Sequence, residues 1–187
     1  MNISFTICSF IFTFILVIIF FGKKRIDHAE TKMFSKILIC TLLGPIIEFT
    51  NYVLIKVGIT ENNLIYVIST KLILVYYVFW VAYFSMYINV IAKKENLNKI
   101  YKYIIILLSI LVLVLPVNYT KTNNLILPSG IPVLIVYSMT FLFIILGIIK
   151  IAITFDKKRL KKYIPLIALI VIGSISTIVQ FLKPELL

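Results

Sequence analysis

The fold of this chain is decided by one long apolar stretch, residues 64–92, which reads LIYVISTKLILVYYVFWVAYFSMYINVIA. Its only charged residue is Lys71. A bilayer core of about 30 Å is crossed by roughly 20 residues at helical rise, so the stretch is long enough to span a membrane as a helix. It is continuously apolar, whereas the strands of membrane barrels alternate between apolar and polar residues. We therefore expect a transmembrane helix here.

Similar runs on both sides of this stretch predict an all-α membrane protein, a polytopic bundle of about six transmembrane helices that forms a single domain over residues 1–187. The predicted helices cover residues 3–21, 34–55, 64–92, 103–119, 129–153 and 163–182. Composition agrees, because 61% of the residues are hydrophobic and 14% are charged, against about a quarter charged in a soluble domain. The connections at residues 56–63 and 120–128 are expected to be turns.

The first run could also be a secretory signal peptide. Such a peptide carries its positive charges before the apolar stretch, but here Lys23, Lys24 and Arg25 follow it. We interpret the run as a retained helix that enters the membrane with its N-terminus outside.

The basic residues indicate orientation and the main partner. The chain has 19 lysines and arginines and a formal charge of +12, and most of these residues fall in alternate connections. The exceptions are Lys56, Lys71, Lys121 and Lys183. Basic loops lie on the cytoplasmic side of membrane proteins, so the chain is predicted to be a multi-pass protein of the plasma membrane with its basic loops cytoplasmic. This distribution favours the lipid bilayer as a partner and argues against nucleic acid.

Glu48 is the candidate centre of a binding site. An ionisable side chain within a membrane helix is expensive and usually functional. Helical rise places Lys71 of the next, antiparallel helix at a similar depth, so the two could meet, and Asn51 lies one turn from Glu48 on the same face. A structural ion pair, a Lys71 that extends outward alone, and a ligand or proton site all remain open. Pro45 is expected to kink the helix just below Glu48.

An aromatic stripe in the third helix extends the candidate ligand site. Tyr76, Trp80, Tyr83 and Tyr87 follow one another at spacings of three and four residues. Tyrosine hydroxyls at membrane depth need partners, so the stripe either packs against another helix or lines a cleft for an apolar or cationic ligand. The candidate ligand-binding residues are Glu48, Asn51, Lys71, Tyr76, Trp80 and Tyr83.

Motifs of catalysis are missing from the sequence. It contains no zinc-protease motif, no nucleophile elbow and no phosphate-binding glycine loop. The cysteines Cys8 and Cys40 lie in apolar runs, and His28 is the only histidine. The sequence therefore predicts no enzyme, no cofactor and no metal site.

The first two helices carry a resemblance to a known group. An outward-entering helix is followed by Phe21, Gly22, Lys23, Lys24 and Arg25, and Glu30, Thr31 and Lys32 open a second helix that carries Glu48. This pattern resembles the N-terminal multi-pass membrane sensor region of bacterial sensor histidine kinases and related diguanylate cyclases. In that group about seven helices precede a cytoplasmic output domain, whose phosphoacceptor histidine, nucleotide-binding boxes and cyclase signature this sequence lacks.

The resemblance implies a signal-input module that binds a small or amphipathic signal within the bundle and relays it to a cytoplasmic kinase or cyclase output. Six crossings leave both termini outside, so the expectation is either a truncated seven-helix sensor or a complete six-helix protein. Kinase sensors usually dimerise, which makes a homodimer through the face of Gly173 one option. The alternative functions are a small transporter or its membrane subunit, and an immunity or assembly factor without a ligand.

Overall fold

The computed structural model describes residues 3–22, 24, 28–59, 61–93, 96–122, 125–154, 167 and 171. This part of the chain contains five helices and a two-stranded sheet. The helices are α1 (Ile3–Gly22), α2 (Ala29–Lys56), α3 (Leu64–Ile91), α4 (Leu97–Val114) and α5 (Ile131–Thr154), and the strands are β1 (Asn118–Thr122) and β2 (Leu125–Ser129).

Four of these helices, α2 to α5, are long and apolar enough to cross a membrane. The side chains of α1 are described from Thr6 to Gly22, a shorter apolar stretch. Large hydrophobic side chains such as Phe12, Leu107 and Phe141 are exposed, as is expected of surfaces that face lipid. The described residues are mostly helical, as predicted, and their four long apolar helices are consistent with the predicted membrane location. The predicted sixth helix, residues 163–182, lies outside the described residues except for Ile167 and Val171, which are helical, so the count of six stays a prediction.

Helix α3 lies at the centre of the bundle, where it contacts α2, α4 and α5. Helix α1 packs mainly on α2. The core is built around residues of α3, including Leu74, Val78, Ala82 and Met86, which pack against side chains of the neighbouring helices. A helix that is buried on several sides needs apolar residues around its circumference, and this explains why residues 64–92 are apolar throughout.

The two ends of the bundle differ in chemistry. We name the end where α1 and α3 finish and α2 and α4 begin the basic end, because Lys32, Lys36, Lys93, Lys99 and Lys102 lie there. At the basic end, Phe20 of α1, Phe34 of α2 and Tyr87 of α3 form consecutive ring contacts with centroid distances of 5.1 and 5.8 Å. At the opposite end, named here the hairpin end, β1 and β2 pair antiparallel. The Tyr66 hydroxyl of α3 donates to the Ile126 carbonyl across 3.5 Å, which joins the sheet to the helices.

The hairpin corrects the prediction of a fourth helix over residues 103–119 followed by a simple turn. Helix α4 ends at Val114, and Leu115 is extended with ψ of 143°. Pro116 comes next, and the residue before a proline is disfavoured in the helical region, so the helix stops there. The residues that follow pair as strands, with Asn118 opposite Ser129. Pro116 lies within an apolar run, so hydropathy alone predicts neither the helix end nor the strands.

Helices α2 and α4 also begin earlier than predicted, at Ala29 rather than residue 34 and at Leu97 rather than residue 103. In both cases the first turns are polar, so a search for apolar residues alone begins too late. Glu30 lies in the first turn of α2, where a negative charge interacts favourably with the helix dipole.

Capping hydrogen bonds terminate α2 and begin α3 on the two sides of the loop that joins them. The Ile59 amide donates to the Leu54 carbonyl and the Gly58 amide to the Ile55 carbonyl, which together form a Schellman motif with Gly58 at a φ of +83°. At the start of α3, the Asn63 side chain accepts a hydrogen bond of 2.9 Å from the Ile65 amide.

Replacing Gly58 by alanine is expected to destabilise the fold by about 1 kcal/mol, because a side chain disfavours a positive φ even where space is open. Gly22→Ala is the matched control, since Gly22 also has open space around it but ends α1 without a positive φ. Unfolding of the purified protein by SDS in mixed micelles measures both. Equal stabilities of the two variants would contradict the prediction.

Candidate functional site

The candidate site lies where α2 packs against α3. We name this region the α2–α3 contact; it comprises Thr41, Gly44, Glu48 and Asn51 of α2 and Tyr76, Tyr77 and Trp80 of α3. The α2 residues recur every three or four positions and so share one face of the helix. Helix α2 remains helical through Pro45, which lies next to Gly44 on the buried side.

Glu48 accepts a long hydrogen bond from the Tyr77 hydroxyl, with 3.5 Å between the two oxygens. Its side chain is half-buried. No ion pair to Glu48 occurs within the described ranges. Tyr77 was not among the predicted site residues, although its place next to Tyr76 in the stripe was the available signal.

Lys71 does not pair with Glu48, so the structural ion pair considered in the sequence analysis is wrong. Its ammonium group donates to the carbonyl oxygen of Leu113 across 2.6 Å. Leu113 lies in the last turn of α4, where carbonyl groups lack intrahelical donors and the helix dipole favours a cation. Lys71 therefore caps α4, and it points to a different side of α3 from the side that α2 covers.

Asn51 lies one turn beyond Glu48 toward the hairpin end and is 8% exposed. Its side-chain oxygen is buried and has no hydrogen-bond partner in the described part of the chain. Buried amide oxygens are normally hydrogen-bonded, and one without a donor is costly. Asn51 and Glu48 therefore place two under-satisfied acceptors on neighbouring turns of α2.

Tyr76 lies directly against the backbone of Gly44. A Cβ atom placed on Gly44 would come within 3.0 Å of the Tyr76 ring. One turn further toward the basic end, the Trp80 indole donates to the Thr41 hydroxyl across 2.9 Å, and this hydroxyl donates in turn to the Ile37 carbonyl. These contacts join α2 and α3 along several turns.

The aromatic stripe consequently packs between helices over most of its length. Tyr76 and Trp80 contact α2, and the ring of Tyr87 contacts Phe34. Tyr83 pairs with Phe79 of its own helix at a centroid distance of 5.9 Å. Of the six predicted residues, Glu48, Asn51, Tyr76 and Trp80 belong to the α2–α3 contact, whereas Lys71 points toward α4 and Tyr83 lies nearer the basic end.

A second polar cluster, at the basic end, was not predicted. The Lys150 ammonium donates to the Asn89 side-chain oxygen and to the Tyr101 hydroxyl, each across 2.6 Å. The Asn89 amide donates to Asn98 across 2.9 Å, so this Lys150 cluster joins α3, α4 and α5. The charge distribution predicts Lys150 to be a cytoplasmic basic residue, but its position inside the predicted helix 129–153 is the signal that it enters the bundle.

Comparison with known proteins adds no assignment. No protein-family model matches the chain, and no similar protein or structure was found among the curated proteins and the solved structures.

Proposed function

We propose that this chain is the signal-input module of a membrane sensor. In this proposal a small or amphipathic signal binds at the α2–α3 contact around Glu48, and a cytoplasmic histidine kinase or cyclase output receives the resulting change in helix packing. The basic end faces the cytoplasm and the N-terminus lies outside, as the positive-inside rule favours. The sensor class comes from the resemblance of the first two helices, and the site comes from the geometry.

The observation that carries the proposal is the continuity of contacts between Glu48 and the basic end. Glu48 contacts Tyr77, Gly44 contacts Tyr76, and Thr41 binds Trp80. Further along the same helices, Phe34 contacts Tyr87. Closely packed contacts of this kind resist gradual deformation, so a shift of α2 at Glu48 is carried to the cytoplasmic ends of the helices.

Such a relay requires a signal that binds one helix arrangement better than the other. If the hydrogen-bonding groups of the site already had partners, a ligand would gain little by binding one helix arrangement rather than the other. The carboxylate of Glu48 has a single long hydrogen bond, and the Asn51 oxygen has none within the described segments. A ligand that satisfies both would therefore favour the arrangement that admits it.

A small transporter is the competing function, and the shape of α2 argues against it. Transporter sites commonly lie at broken helices whose unwound backbone binds substrate. Helix α2 is continuous from Ala29 to Lys56, so Pro45 does not unwind it beside Glu48. We expect no Glu48-dependent accumulation of solute in vesicles that contain the protein.

The relay is tested by spin-label distances with Glu48→Gln, which imitates a neutralised site. Labels at the exposed Lys36 of α2 and Lys99 of α4, in a background without Cys8 and Cys40, report motion of α2 against the rest of the bundle. We expect this distance to change by about 2 Å, the scale of helix shifts in signalling proteins.

The matched control pair is Lys99 and Ile153, which are both exposed and both lie on helices that pack on α3. We expect its distance to stay the same in Glu48→Gln. A Lys36 to Lys99 distance that does not respond would refute the relay, and so would an equal change in both pairs, because that result indicates general loosening.

A further inference from the structure

When Glu48 is ionised, no cation in the described part of the protein pairs with it. The lysines in the same half of α2 and α3 have other contacts, since Lys71 caps α4 and Lys56 lies over the Tyr52 ring at 5.7 Å. A lone phenol at 3.5 Å is a weak partner for a carboxylate within a membrane helix, where an uncompensated charge costs several kcal/mol. A positive charge from outside these residues would remove that cost.

The hydrogen-bonding groups of the site specify more than charge. The Glu48 carboxylate and the Asn51 oxygen are both acceptors, and among the described contacts the Tyr77 hydroxyl is the one group that donates to either of them. A ligand that satisfies both acceptors must bring its own hydrogen-bond donors, and donors on a cation would also balance an ionised Glu48. A quaternary ammonium ion has the charge but no N–H group, whereas a primary ammonium ion has three.

The surroundings favour an apolar body attached to that ammonium group. Phe49 and Val53 of α2 are exposed next to the site, on a surface that faces lipid in a membrane helix. On the α3 side, the rings of Tyr76 and Tyr77 lie 5.3 Å apart and offer aromatic faces, which attract cations. A hydrocarbon chain could thus lie along α2 while the charged group reaches Glu48.

We propose that the α2–α3 contact binds a primary alkylammonium ion, whose N–H groups donate to the Glu48 carboxylate and to the Asn51 oxygen. This inference rests on the proposed sensor function and names the chemical class of its signal.

The test titrates the purified protein with hexylammonium, hexyltrimethylammonium and hexanol at pH 7. Trp80 is the only tryptophan of the chain and lies in the α2–α3 contact, so its fluorescence reports on the site. We expect saturable binding of hexylammonium, weaker binding of hexyltrimethylammonium and no saturable response to hexanol.

Variants locate the site. Glu48→Gln is expected to weaken hexylammonium binding by about thirtyfold or more, as loss of a charged partner does. Asn51→Leu is expected to weaken it by about tenfold for hexylammonium but to leave hexyltrimethylammonium unaffected, because only the former donates to Asn51. Glu61→Gln is the matched control, an acid in the connection between α2 and α3, and should bind as the unmodified protein does.

Three outcomes would overturn the proposal: hexanol binding as well as hexylammonium, hexylammonium binding unchanged in Glu48→Gln, or no saturable binding of any probe. The spin-label experiment uses no ligand, so its result tests the sensor function independently of the ligand class. A relay that responds to Glu48→Gln without alkylammonium binding refutes the ligand class alone. Binding without a distance change refutes the sensor function and leaves a cation site.

Discussion

Replacing Asn89 by leucine is expected to lower the free energy of unfolding by about 2 kcal/mol, although the two side chains are similar in volume. Asn89 is 0% exposed; its side-chain oxygen accepts a hydrogen bond from the Lys150 ammonium group, and its amide group donates one to Asn98. Leucine removes both interactions at once and leaves a half-buried ammonium with the Tyr101 hydroxyl as its remaining described partner. Unfolding by SDS in mixed micelles, followed by Trp80 fluorescence, measures the loss.

Two further variants distinguish the stability contributed by the Lys150 cluster from the stability contributed by burial alone. Ser109 is also buried and polar, but its hydroxyl has no hydrogen-bond partner in the part of the chain that the structure describes, so Ser109→Ala should cost little. Adding Lys150→Met to Asn89→Leu removes the stranded charge and should restore about half of the lost stability. If Asn89→Leu and Ser109→Ala behave alike, the Lys150 cluster does not stabilise the bundle.

Replacing Gly44 by alanine is expected to destabilise the protein by about 2 kcal/mol. The new methyl group would lie within 3.0 Å of the Tyr76 ring, so α2 and α3 must move apart or the ring must leave its position. Small residues allow close approach of membrane helices, where packing rather than water drives association. The same SDS unfolding experiment measures the effect.

The test of mechanism is a double-mutant cycle with Tyr76→Leu, which removes the ring that the methyl group would meet. In that background Gly44→Ala should cost less than about 0.5 kcal/mol, because the remaining side chain leaves room. If Gly44→Ala costs the same in both backgrounds, the close approach to Tyr76 is not what requires glycine.

The sequence predicted the helical class and the approximate centres of five helices because long apolar runs depend on one physical quantity, the thickness of the bilayer. The sequence did not predict the helix ends correctly, because single residues determine where a helix begins or ends. The proline after Leu115 ended α4, and polar first turns extended α2 and α4 beyond their apolar runs.

The pairing of Lys71 with Glu48 was wrong for a different reason. Helical spacing correctly grouped Glu48 and Asn51 on one face of α2, but the partner of Glu48 depends on how α3 is rotated. Depth alone made Lys71 a reasonable partner; the rotation of α3 instead turns Tyr77 toward Glu48 and Lys71 toward α4. Rotation is set by packing with all the neighbours at once, and a single sequence contains that information only indirectly.

The central place of α3 has a consequence for the order in which the protein is built. Chains are synthesised from the N-terminus, so of the five described helices α1 and α2 leave the ribosome before the others, and among these five they have only each other to pack on at that stage. The α2 face with Glu48 and Asn51 has no covering helix until α3 follows. Each later helix, α4 and then α5, emerges to find its main docking surface already in the membrane. A nascent chain halted before residue 64 would therefore leave those two polar groups without the helix that covers them.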